Sequence, residues 1–155
     1  MERRANASPA CWHLYTQVLS YETEHLARLG RYHQLSVDTY GAQHADAPSR
    51  PISTAFGLIG LHLALEHGWS GTAVRAAHQF LAQRYSTWPS FRRRADGPVL
   101  TVADVAGAST PDEHASRVQA WARSVWNSWA PEHLQVRAWA GTALSPEVRE
   151  PLRLA

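Results

Sequence analysis

Three times in this chain a hydroxyl residue stands directly before a proline: Ser8-Pro9, Thr110-Pro111 and Ser145-Pro146. Each pair is a helix-start signal. The hydroxyl accepts a hydrogen bond from an orphan amide of the first turn, and proline at the next position loses nothing by lacking an N–H. Thr110-Pro111-Asp112-Glu113 adds a glutamate at the third helical position, which completes a capping box. Downstream of it, His114, Val118, Trp121, Val125, Ser128 and Trp129 recur with the 3.6-residue period of one helix face. Strand-like alternation of useful length is missing throughout. These signals restrict the chain to an all-α fold. With 45% apolar residues in 155, a core forms without disulfide or metal staples. The expected architecture is a single domain over 1–155, core about 8–142, orthogonal or bundle-like, with five to seven helices.

The breaks between helices follow from local chemistry. A first helix is expected over Pro9–Leu29, broken near Glu22 and ended by Gly30, and a second over Tyr32–Gln43. The run from Ala45 to Ser49 reads as a turn. A third helix, Pro51–His67, is apolar on most of its circumference and should be the most buried element. Its Gly57 and Gly60 lower helix propensity and allow a neighbouring helix to approach closely. Gly68 is its C-cap. Ser70 caps a fourth helix, Gly71–Tyr85, and Ser86–Leu100 is the longest irregular segment. Thr101 caps a short helix over Val102–Ala108, with Asp104 in its first turn. Two more helices are expected over Pro111–Trp129 and Pro131–Ala140, with a frayed tail after Ser145.

Several function classes drop out early. No apolar run approaches the roughly 18–20 residues of a membrane helix, and the opening stretch has no export signal. A single cysteine, Cys11, forms no internal disulfide, so a reducing cytoplasm is expected. Cys11 has no visible catalytic partner and reads as an inert thiol. All 15 basic residues are arginine, which removes lysine-based covalent chemistry. A net charge of +2 is too small to predict nucleic-acid binding, and Arg92-Arg93-Arg94 reads as a solvated loop.

The chemistry that remains lies with nine histidines. No His pair has the i,i+4 spacing that offers two metal ligands on one face. His33 and His44 share a face but stand about 16 Å apart at 1.5 Å per residue. His62 and His67 point about 140° away from each other at about 100° per residue in an ordinary helix. Any metal site, for Zn or Fe, must therefore draw single ligands from separate helices, with His44, His133 and His114 as the candidates. His33, Val37, Tyr40 and His44 form one stripe, and Gln34 and Asp38 lie one turn apart on an adjacent face. The catalytic candidates are His44, His133, Asp38 and Tyr40. His33, His114 and Arg137 are candidate ligand-binding residues, Arg137 standing one turn after His133 in a pair suited to a carboxylate or phosphate. His44 and His133 are expected to face a common cavity completed by Asp38 or His114.

Cys11-Trp12, His33-Gln34-Leu35, Val37-Asp38-Thr39-Tyr40, Gln43-His44, Trp88-Pro89, Leu100 to Val105, His114, Trp121, Trp126, Trp129, His133 and Arg137 together resemble a family of small actinobacterial proteins. That family is a domain of unknown function, so the resemblance, over about residues 8–142, implies which residues matter and no reaction. Many relatives in that family carry an N-terminal cysteine pair that this chain lacks, and some have histidine at the position of Gly57.

Two classes of function stay open on these residues. One is a small-molecule-processing enzyme with an interhelical His/Asp/Tyr pocket, in which His and Asp move protons or ligate a metal. The other is a non-catalytic helical module that binds a partner or pairs as a homodimer, with the same histidines in structural networks.

Overall fold

A computed structural model describes residues 8–45, 49–93 and 96–155, and every regular element among them is helical. The order is α1 (Pro9–Glu24), a single turn α2 (Leu26–Leu29), α3 (His33–Gln43), α4 (Pro51–Leu61), α5 (Gly71–Arg84), α6 (Pro111–Asn127), α7 (His133–Ala143) and α8 (Pro146–Arg153). With α2 taken as a continuation of α1, seven helices remain, as the sequence implies. No helix among the described residues is long and apolar enough to cross a membrane.

The caps follow the sequence closely, with local exceptions. Ser8, Ser70 and Thr110 each accept a hydrogen bond from the amide three residues on, whereas Ser145 stands at the start of α8 without accepting one from its first turn. Glu113 reaches one residue beyond the expected box, to the amide of Ser109. A full reciprocal box forms instead at Thr101 and Asp104, where a single 3-10 turn (Val102–Asp104) replaces the longer helix expected there. The first helix breaks at His25 rather than at Glu22. Gly30 caps the end of α2, as expected, but in right-handed geometry, and it leads directly into a 3-10 turn, Gly30–Tyr32. Gly68 adopts φ +68°, as its C-cap role requires. The tail after Ser145 is ordered as α8 and packs on α5 through Val148 and Leu152.

The third expected helix divides. Regular α geometry ends at Leu61, and His62–Glu66 form a π turn. Its residues from Gly57 to Leu63 are all buried, in accord with its central place.

The core has two apolar clusters. In the larger, Tyr15, Val18, Tyr40, Leu58, Leu61, Val118, Trp121, Val125 and Trp129 join α1, α3, α4 and α6. In the smaller, Ile59, Leu63, Val74, Leu81, Ala140 and Leu144 join α4, α5 and α7, and Trp139 packs against both. Polar side chains tie the C-terminal end of α3 to this frame. Gln43 Oε1 accepts from Trp121 Nε1 at 2.7 Å and from the Val102 amide at 3.1 Å. Trp129 Nε1 donates to the Ala42 carbonyl. Arg93, expected in solvent, lies instead over the Trp129 ring and donates to the carbonyls of Ala42 and Gln43 and to Ser128 Oγ. A guanidinium at the carbonyl end of a helix meets both the unpaired acceptors and the negative pole of the helix dipole. Arg94 and residues 46–48 of the expected turn lie outside the described residues.

At Gly57 and Gly60, α3 and α4 approach closely. A Cβ built at Gly57 would stand 3.1 Å from the Asp38 carbonyl and 3.2 Å from the Ala42 amide, and one at Gly60 would collide with the Asp38 carboxylate. Glycine there makes room for the acid. Gly60→Ala should accordingly lower stability by about 1–3 kcal/mol through overpacking, read as a shifted urea midpoint at unchanged m-value.

Candidate functional site

α3 carries most of the polar residues singled out from sequence, and the fold sends them to different places. Toward α1 and α6 stands a buried carboxylate that the sequence reading did not select. Glu22 has no exposed surface. Its Oε1 accepts from His33 Nδ1 at 3.2 Å, and its Oε2 from His114 Nε2 at 3.0 Å and from Ser36 Oγ. Burial pushes this carboxyl up, but the hydrogen bonds from His114, His33 and Ser36 outweigh it and hold the group below the usual carboxylate range. A signal for Glu22 was present. It falls on the same stripe of α1 as Tyr15 and Val18, the helix's two other buried residues, and a glutamate at a core position requires partners.

Toward α4 and α5, Asp38 is 5% exposed and accepts from Gln34 Nε2 at 3.1 Å. His78 Nε2 of α5 lies 3.9 Å from the same carboxylate oxygen, yet donates to the Phe56 carbonyl at 3.1 Å, with its ring stacked on Phe56. Burial pulls His78 down to about 4, against the pull of that carbonyl, so the ring is neutral. Gln34 and Asp38 line two cavities at once. The first, of about 320 Å³, is an open cleft whose walls are Arg31, Tyr32 and Leu35 of α3 and its approach, Ala64 and Leu65 of the π turn, Trp69 to Gly71, Val74, and Gln119 and Arg123 of α6. The second, of about 300 Å³, lies between α3, α4 and α5 and includes Ile52, Phe56, Gly57 and His78.

The remaining named residues lie elsewhere. Tyr40 is buried, its ring stacked on Tyr15 at 3.8 Å and beside the His44 ring at 4.3 Å. His44 Nδ1 donates to the Tyr40 carbonyl, one turn back on its own helix. His133 donates to the Trp126 carbonyl at 2.8 Å with its ring stacked on that indole. Arg137 turns away from His133 and clasps both oxygens of Glu66. No hydrogen bond or ring contact joins His44 to His133, and His114 belongs to the Glu22 cluster. Among the described residues, no three His, Cys, Asp or Glu side chains assemble a metal site. His44 and His133 are each held by a backbone carbonyl and make no contact with each other, whereas Asp38 is a buried acid that lines a cavity.

One family model matches residues 3–130, a stretch holding α1 to α6 and so the Glu22 cluster and the Asp38 cleft. The chain belongs to this family of unknown function, DUF5946. Arg137 and α8 lie beyond the part shared with the family model. No curated protein and no solved structure matches the chain.

Two measurements separate the structural from the functional histidines. His114→Ala leaves a buried carboxylate short of a partner and should cost about 3–5 kcal/mol in chemical denaturation. His78 titrates lower in the folded chain than in the unfolded one, so its contribution is complete above the ordinary histidine value and is lost as pH falls toward about 4. The melting temperature should drop over that window, and less so in His78→Gln.

Proposed function

We propose that the protein binds a small organic molecule in the cleft between α3, the π turn and α6, with Asp38 as its principal contact. The observation that carries this reading is a carboxylate 5% exposed that nevertheless lines an open cavity. A largely desolvated acid in a cleft of mixed apolar and polar lining recognises a cationic or hydrogen-bond-donating group strongly, because water competes poorly at the buried carboxylate. Leu35, Leu65, Trp69 and Val74 offer the apolar surface, and the guanidiniums of Arg31 and Arg123 stand in the same lining. The chemistry fits a zwitterionic molecule: an ammonium toward Asp38, an apolar middle, and an anionic group toward the arginines. In an enzymatic version of this reading the general base is Asp38, oriented by Gln34.

The histidines support a second, complementary role. His33, His114, His44, His78 and His133 each have a protein partner for a ring nitrogen. They serve as hydrogen-bonding struts, and the cleft works without them.

A panel of free amino acids, simple amines and simple carboxylates tests the cleft by thermal shift and calorimetry. Zwitterions with apolar side chains should raise the melting temperature of the wild type, and Asp38→Asn should weaken their binding by about 10- to 100-fold while remaining folded. Equal binding to Asp38→Asn, or no response from any member of the panel, would refute this assignment.

A further inference from the structure

A further cavity, polar and of about 390 Å³, opens on the far end of α4 and is lined by His62, Glu66, His67, Arg137, Gly141 and Arg149. The π turn creates it. In an α-helix residues five apart diverge, but a π turn closes i to i+5 and brings them onto one face. The His62 and His67 rings accordingly meet edge to face at 4.8 Å.

The charges in this cavity do not cancel. Glu66 is spoken for: Oε1 accepts from His62 Nδ1 at 2.6 Å and from Arg137 Nε, and Oε2 accepts from Arg137 Nη2. The bidentate guanidinium holds Glu66 down to about 2, against a smaller upward push from burial, so it is an anion matched one to one by Arg137. Arg149, from α8, is the second cation. Its Nε is buried and has no hydrogen-bond partner among the described residues. This guanidinium shares a cavity with two imidazoles, and its Nε is a desolvated donor without an acceptor among the described residues, which suits the site to an anion.

His62 narrows the choice of anion. An ionised carboxylate only accepts, so Nδ1 carries the proton given to Glu66. Burial lowers the affinity of this ring for a second proton, with the Glu66 hydrogen bond opposing. Its Nε2 is then a lone-pair acceptor and makes no hydrogen bond to the described residues. A ligand that satisfies both Arg149 and Nε2 must carry negative charge and a proton to donate. Phosphate does so near neutral pH, and sulfate and carboxylates do not.

We propose that the cavity between the π turn and α8 binds a phosphate group, free or as the monoanion of a small ester, held by Arg149 and by the imidazoles of His62 and His67. This site is separate from the Asp38 cleft and does not rest on it.

Calorimetric titration of the full chain with inorganic phosphate, sulfate and methyl phosphate is the test. Saturable binding of phosphate is expected, with sulfate at least about tenfold weaker and both Arg149→Gln and His67→Asn at least about tenfold weaker for phosphate. Both substitutions fall on side chains with solvent exposure, and their melting curves verify folding. Methyl phosphate binding as tightly as phosphate assigns the site to a phosphorylated metabolite, and its exclusion assigns it to free phosphate; either result supports the proposal. Asp38→Asn should keep full phosphate affinity, so failure here and failure of the cleft reading are distinguishable. No saturable phosphate binding by the wild type, equal affinity for sulfate, or unchanged affinity in Arg149→Gln would each overturn it.

Discussion

The contact on which the rest of the structure depends is the seating of α3 against Gly57 and Gly60 of α4. Two missing side chains let the helices meet at backbone distance, and the space beside Gly60 is filled by the Asp38 carboxylate itself. That single arrangement desolvates the acid, leaves it at the junction of two cavities, and fixes the rotation of α3. Once α3 is so rotated, Tyr40 must face the core and stack on Tyr15, and His33 and Ser36 must face α1. The carbonyl end of the same helix is then held by Arg93, Trp129 and the contacts of Gln43 with α6.

Opposite this seam, Glu22 acts as a polar keystone. A buried carboxylate adds little net stability compared with an apolar residue of the same size, since desolvation consumes most of what its partners return. Its value lies in geometry. Hydrogen bonds from α3 and α6 converge on one group of α1, so a slip of any of the three helices leaves a charge unmatched.

Much of this was legible in the residues. Hydroxyl–proline pairs and the 3.6 period marked the helices, and the glycines of α4 announced the close approach. Asp38 and Gln34 were visible as i,i+4 partners, and the structure joins them as such. What stayed hidden depended on partners distant in sequence. Arg137 looked like the companion of His133 because they share a helix, yet Glu66 competes for it as an anion from another helix. Arg93 sat in a segment whose composition suggests solvent, and nothing local reveals that an open helix end and an indole face await it. His62 and His67 were placed apart by an assumed α period, and a π turn is not encoded by any periodicity that a short window can detect. The fold class is a local property and was readable; the pairing of polar groups is a tertiary one and was not.

The π turn also bears on how such a chain changes over generations. A wide turn holds one residue more than an α turn, so it is the mark that a one-codon insertion leaves in a helix whose flanks are already pinned. Here the flanks are Gly57 and Gly60 on one side and the left-handed Gly68 on the other. Loss of any single codon within His62–Glu66 would restore an ordinary helix with its flanks still in register, and would part the side chains that the wide turn brings together. The seam with α3 would survive that event, while the group of side chains facing α8 would disperse. One half of the molecule is thus free to gain or lose a feature without disturbing the other.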